Sequence, residues 1–246
     1  MTDRTVETSP QTYARIGGVL YLIIIVAGGF AELFVRDKLI VSRDATATAN
    51  NIMASESLWR IAFVATLVML ACAVALTLIF YLLLRPVNRN IALLAAFFNL
   101  VSIAIEGMND LYHFAAVLIL GGADYLKAFE PHQLQALALL STKVFAYGYG
   151  ISLVFFGFES LFRGYLIFKS GYFPRILGVL VIISALSYVT NSFALFLSPA
   201  FARLISPGIL VPAGVPELIL CLWLIVKGVN VPKWEEKTSA GRVSGA

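Results

Sequence analysis

The chain has 246 residues, 60% of them hydrophobic and only 13% charged, with a mean hydropathy of +0.88. Soluble domains carry about 25% charged residues, so the composition excludes a water-exposed globular fold and predicts an all-α membrane protein. The net charge of +4 would suggest a nucleic-acid partner in a soluble protein. Here it reads as the cationic bias of cytoplasmic loops, and no nucleic acid is expected.

Residues 1–12 form a polar tail, and the apolar run after them lacks a small-residue cleavage site, so it is expected to stay as a first span. Crossing the hydrocarbon core takes about 20 apolar residues. Six runs qualify: Ile16–Val35, Ile61–Leu84, Ile91–Leu120, Leu134–Phe168, Ile176–Leu197 and Ile209–Val226. The expected fold is therefore six transmembrane helices over residues 13–230, arranged as three helical hairpins in one bundle. A disordered cytoplasmic tail over 231–246 is expected to follow. The third and fourth runs are long enough to tilt or to project from the bilayer. Gly17, Gly18, Gly28 and Gly29 permit close helix contact in the first span. Cys72 and Cys221 lie within apolar runs and read as small fillers, not as a disulfide or a metal site.

Basic residues orient the chain. The connections Arg85–Arg89 and Lys169–Arg175 are short, basic and free of acids, which places them, and both termini, in the cytoplasm. The first outer connection opposes this with Arg36, Lys38, Arg43 and Arg60. It also holds an Ala-rich stretch from Asp44 to Ser57, which reads as a short helix with Asp44 at its N-cap.

Aligning the odd-numbered spans exposes an internal similarity. Arg15-Ile16-Gly17-Gly18-Val19-Leu20 resembles Arg175-Ile176-Leu177-Gly178-Val179-Leu180, with Arg89-Asn90-Ile91-Ala92-Leu93-Leu94 a weaker third copy. Glu32, Glu106 and Ser192, the last beside Asn191, follow these arginines at one spacing. In the even spans Glu159 and Glu217 precede Lys169 and Lys227 at another. Bilayer geometry alone could set such spacings, so a triplicated hairpin and simple coincidence both stay open. At 1.5 Å per residue, Glu159 and Glu217 fall roughly 15 Å from their lysines, and Glu32 and Glu106 roughly 25 Å from their arginines. A charge at such depth costs at least about 2.5–3 kcal/mol unless it faces protein or water.

On the third span, Asn99, Ser102, Glu106, Asn109, Asp110 and His113 recur at helical spacing on one face. Three readings fit this stripe: an interhelical hydrogen-bond seam, a polar cavity, or a divalent-cation site on Glu106, Asp110 and His113. One helix cannot supply a full coordination shell and no second motif names partners, so no metal site is assigned. On the fourth span, Glu159 and Arg163 stand four apart and are expected to pair. Ser152 shares their face and Lys143 lies nearly opposite, free to pair elsewhere or to snorkel. Pro212, Pro216 and Glu217 interrupt the sixth span, as in broken helices beside transport sites or in an ordinary tolerated kink. The sequence contains no phosphate-cradling glycine loop, no nucleophile elbow and no paired cysteine motif. His132, after Pro131, reads as a solvated helix start.

Several stretches carry a resemblance. They are Ala14–Leu22, Leu84-Arg85-Pro86-Val87, Gly122–Leu126 and above all Gly164–Gly178. Over roughly residues 13–230 the chain is similar to a family of bacterial membrane proteins, domain of unknown function 4386. The resemblance implies a multi-pass protein of the bacterial cytoplasmic (inner) membrane. It brings no activity, cofactor or catalytic residue.

Three function classes follow. The first is binding or transport of a cation or small amphiphile in an acidic cavity opening to the outer side. The second is an intramembrane enzyme acting on a lipid or isoprenoid through carboxylate acid–base chemistry. The third is a structural or regulatory membrane partner. The excess of intramembrane acids (Glu32, Glu106, Asp110, Glu159, Glu217) over the bases Lys143 and Arg163 favours the first. The ligand-site candidates are Glu32, Asn99, Glu106, Asn109, Asp110, His113, Glu159, Arg163, Asn191 and Glu217. The partners expected are the lipid bilayer and a lipid, cation or small amphiphilic ligand.

Overall fold

The computed structural model describes residues 9–206 and 208–243. Residues 1–8 of the expected N-terminal tail and 244–246 of the C-terminal tail lie outside the described residues. Every regular element among those described is helical. Helix α1 runs Pro10–Leu39, opening on a proline whose missing N–H costs nothing in a first turn. Its last part widens to π-type winding over Phe30–Arg36 before one more α turn, Asp37–Leu39. A short α2 (Ala45–Ala54) follows, with the Asp44 carboxylate accepting from the Ala47 N–H, the cap expected from the sequence. The long helices are α3 (Glu56–Leu84), α4 (Arg89–Leu120) and α5 (Pro131–Ser170), of 29, 32 and 40 residues. A 3-10 turn over Asp124–Ala128 precedes α5. Then come α6 (Arg175–Leu197), α7 (Pro199–Ile205), α8 (Leu210–Val226) and α9 (Val231–Val243).

Among the described residues five helices are long and apolar enough to cross a membrane: α1, α3, α4, α5 and α6. The expected sixth, α8, has 17 residues, and α9 turns away from it by 98°. Gly228, at φ +66°, makes that turn, and Gly171, at φ +77°, ends α5 in the same left-handed way. Pro212 sits in the first turn of α8, where its missing donor is harmless. Pro216 lies inside the helix, which continues through it to Val226.

The chain divides into two compact units, each drawing on parts of the long helices. One comprises the chain up to Leu22, Ala73–Ser102 and everything from Leu153 onward. Small residues set helix spacing there. A Cβ on Gly178 would stand 2.6 Å from the Phe168 nitrogen and 2.7 Å from the Gly164 carbonyl oxygen of α5. One on Gly18 would stand 2.8 Å from the Ile225 nitrogen of α8. Gly18, Ala92 and Gly178 are the third residues after the arginines of the three similar segments, and all three are buried.

The tail expected to be disordered from residue 231 is helical through Val243. The Asn230 side chain accepts from the Lys233 N–H at its start, and Trp234 donates its indole N–H to the Leu83 carbonyl. A cap and one tertiary anchor give order to a segment that composition alone marks as solvated.

The other unit comprises Ile23–Cys72 and Ile103–Ser152. Its apolar core joins Ala31, Val35, Ile52, Trp59, Ala116, Val117 and Ala138. Wide winding through Phe30–Arg36 turns Arg36 into the protein, where the side chain is only 8% exposed. The expectation that Arg36 belongs to a solvated outer loop is thereby corrected. The apolar run ends at Val35, but the helix does not.

Candidate functional site

Two buried polar groups form, one in each unit, and they differ in how completely they are satisfied. The first centres on Arg163 of α5, 2% exposed. Its Nε donates to both Glu159 carboxylate oxygens at 2.9 and 3.3 Å, which confirms the expected pair. Its two terminal nitrogens reach Glu217 of α8 at 3.2 Å, the Ser160 hydroxyl at 3.0 Å and the Tyr21 hydroxyl of α1 at 3.3 Å. Tyr21 in turn donates to Glu217, and the Ser184 hydroxyl lies 3.1 Å from the other Glu217 oxygen. The Phe80 ring lies under the guanidinium, 5.0 Å from centroid to Cζ. Every donor group of Arg163 finds a partner, so this cluster has the form of a closed joint between helices.

The second group occupies the far part of the α4 stripe. Ser102, Glu106, Asn109, Asp110 and His113 are all buried, as the shared face predicts. Asn109 donates to the Phe145 carbonyl at 2.8 Å, and its carbonyl oxygen lies where Gly148 has no side chain. His113 stacks on Trp59, centroids 4.1 Å apart and planes within 5°. The Trp59 indole N–H donates to the His113 carbonyl at 2.9 Å, and His113 Nε2 lies 3.2 Å from the Trp59 carbonyl. A carbonyl only accepts, so Nε2 carries the hydrogen, and Nδ1 is left without a partner among the described residues.

Around these contacts five buried polar atoms have no hydrogen-bond partner among the described residues. They are Arg36 Nη1, Glu106 Oε2, both Asp110 carboxylate oxygens and His113 Nδ1. Buried polar groups are otherwise almost always paired. Arg36 is held only on one side, its Nε 2.6 Å from Glu32 and its guanidinium 4.7 Å over the Phe145 ring. A recess of about 340 Å3 adjoins it, lined in part by Glu32, Arg36, Asp37, Lys143 and Tyr149.

The remaining expected residues fall elsewhere. Asn99 donates to Thr77 of α3 at 2.7 Å, a seam contact apart from Glu106. Asn191 is half-buried on α6 and bonds to neither group, while Ser192 beside it is fully buried with its hydroxyl unpaired. Lys143 is exposed and forms no ion pair among the described residues. No three His, Cys, Asp or Glu side chains among those described stand together as metal ligands, so the cation-shell reading of Glu106, Asp110 and His113 gains no geometric support. Arg36, Trp59 and Tyr21 are the partners that sequence reasoning missed. Arg36 alone carried a signal, its i, i+4 spacing from Glu32.

The model of a domain of unknown function, DUF4386, matches residues 16–228. The chain belongs to this family. An uncharacterised protein of the archaeon Archaeoglobus fulgidus is 28% identical over 153 residues, covering 60% of this chain and 72% of its own. No solved structure matches the chain. Family membership and the run of apolar helices agree on a membrane protein without an assigned activity.

Proposed function

We propose that the protein is a membrane binding or transport protein whose acidic site, Glu106 with Asp110, takes a small cation or the cationic head of an amphiphile. The single observation behind this reading is the set of unpaired buried carboxylate oxygens on α4, Glu106 Oε2 and both oxygens of Asp110. Leaving a buried polar atom without a partner costs about 1–3 kcal/mol. Such a group persists where a ligand, ion or water supplies the missing bonds. Glu106 and Asp110 stand one helical turn apart, so their carboxylates reinforce one another as an acceptor for positive charge. Arg36, the nearest cation, is already engaged by Glu32.

The proposal includes six spans, with α8 as the last, in the cytoplasmic membrane with both termini inside. The acid-free basic connections Arg85–Arg89 and Lys169–Arg175 support this orientation, and the outer Arg36, Lys38, Arg43 and Arg60 oppose it. A seam is the competing reading, and the reciprocal Trp59–His113 bonds favour it locally.

Melting of the purified protein in detergent decides between them. Sodium, potassium, guanidinium and tetramethylammonium are titrated at constant ionic strength. We expect at least one to raise the melting temperature of the wild type. Glu106→Gln and Asp110→Asn should each weaken that response about tenfold, while their own melting stays near the wild type. No response to any cation, or one that survives both substitutions, refutes the proposal. Early melting of both variants with no cation response supports the seam.

A further inference from the structure

The recess beside Arg36 is a different feature from the α4 carboxylates, and its lining has a definite charge pattern. Two cations, Arg36 and Lys143, and two acids, Glu32 and Asp37, line it together with Ser42, Thr142 and Tyr149. Glu32 and Arg36 are bonded to each other, but the Arg36 Nη1 is buried and unpaired. Lys143 and Asp37 are exposed and form no ion pair among the described residues. The volume of about 340 Å3 lies at the small end of ligand pockets.

Its depth is set by the helices that build it. Lys143 lies 26 residues before Lys169 on α5, about 39 Å along the helix axis. Arg36 lies 21 residues after Arg15 on α1, about 30 Å away. The hydrocarbon core is about 30 Å thick and the bilayer with headgroups about 40–45 Å. Counted along its own helix, each cation thus lies a full hydrocarbon thickness or more from the basic residue at the other end, a spacing that suits a headgroup level.

We infer that the recess binds the zwitterionic headgroup of an aminophospholipid. Its phosphate lies between Arg36 and Lys143, and its ammonium donates to Asp37 and Glu32. The Arg36 guanidinium, held by Glu32 and backed by the Phe145 ring, lines the recess and brings a positive charge to a phosphate there. A lining that carries charges of both signs matches a zwitterion better than an anion or a cation alone. The inference stands apart from the cation reading, because neither Glu106 nor Asp110 lines the recess.

Native mass spectrometry of delipidated protein tests it, with dioleoyl phosphatidylethanolamine, phosphatidylcholine and phosphatidylglycerol as probes. Phosphatidylethanolamine should be retained about tenfold over the other two. Phosphatidylcholine has a methylated ammonium that cannot donate, and phosphatidylglycerol has no ammonium. Lys143→Ala should weaken phosphatidylethanolamine binding about tenfold. Asp37→Asn should erase its preference over phosphatidylglycerol. Both residues are exposed, so neither substitution threatens the fold. Equal retention of the three lipids, or indifference to both substitutions, overturns the inference. Displacement of bound lipid by glycerophosphoethanolamine at equal concentration would assign the recess to a soluble headgroup and also overturn it. Glu106→Gln should leave the lipid preference unchanged, so failure here and failure of the cation reading are told apart.

Discussion

Replacing Arg163 by Met separates a structural joint from a ligand site. Arg163, Glu159 and Glu217 are 2%, 4% and 5% exposed, and the guanidinium is the only cation bonded to either carboxylate among the described residues. Methionine keeps most of the side-chain length and removes every donor. Two buried carboxylates then face each other across the vacated position, with only the Tyr21 and Ser184 hydroxyls and Ser160 to support them. Breaking a buried ion pair from one side costs about 3–5 kcal/mol. A chain of this size loses about 2–4 °C of melting temperature per kcal/mol, so the variant should melt about 6–20 °C early. The assay is thermal unfolding in detergent, read by loss of helical circular dichroism. Adding Glu159→Gln and Glu217→Gln to Arg163→Met should recover part of the loss, because the uncompensated charges go with it. A shift under about 2 °C for the single variant would refute the reasoning, since it would mean that the cluster is neither desolvated nor under load.

Three further outcomes are expected. Gly178→Ala places a methyl group 2.6–2.8 Å from backbone atoms of α5 that cannot rotate away. It should cost about 1–3 kcal/mol in melting experiments, whereas Gly214→Ala, with nothing within 4 Å, should be silent. Cysteines placed at Asn88 and Arg175 should resist an impermeant thiol reagent on intact cells while one at Ala128 labels; the reverse pattern would invert the proposed orientation. Trp59→Phe keeps the stack on His113 but loses the indole bond to its carbonyl. It should therefore lower stability by about 1 kcal/mol, seen as a small drop in melting temperature, and a neutral result would remove the seam component of this contact.

Much of the fold is legible because bilayer thickness leaves few options. Once an apolar run exceeds the length of the hydrocarbon core, its helix must satisfy its own backbone. The bounds of α4, α5 and α6 accordingly fall within a few residues of the apolar runs. Local chemistry was legible too: the Asp44 cap and the Glu159–Arg163 pair depend only on residues three or four apart. Arg36 was not legible, because a hydropathy window sees an arginine after Val35 as the end of a span. The wide winding that buries it is a backbone choice that no residue in Phe30–Arg36 announces. Tyr21 and Trp59 were hidden for another reason. An aromatic residue in a membrane helix looks alike whether it faces lipid or spends its polar atom on a neighbour. Helix α9 depends on the Trp234 bond to Leu83, a contact across 151 positions. The internal similarity has a physical correlate in Gly18 and Gly178, which let their helices approach the backbones of α8 and α5. Glu159 and Glu217, matched in that alignment, also converge on one guanidinium.

Each polar group holds an arginine with an aromatic ring beside its guanidinium and a bonded carboxylate four residues earlier, yet they end differently. Around Arg163 the partners arrive from α1, α5, α6 and α8, and each donor closes a bond, so the cluster holds those segments in a single arrangement. Around Arg36 the partners come from its own turn and from the Phe145 ring of α5, while Glu106 and Asp110 on α4 keep free oxygens within a buried face. A joint gains nothing from such vacancies. Filling these positions with apolar side chains of similar volume would remove the unpaired atoms and is often stabilising in other proteins. Retaining them therefore makes sense if an occupant completes the bonds. The contrast is sharpened by His113, whose ring is locked in one orientation by Trp59 with its Nδ1 left out of that contact. Fixing a ring costs side-chain freedom, and here the fixed ring leaves one nitrogen unused on the same helix face as the unused carboxylate oxygens. Orientation without a partner is how a binding site is pre-organised, and that is the physical reason to look for the ligand on α4 and not at Arg163.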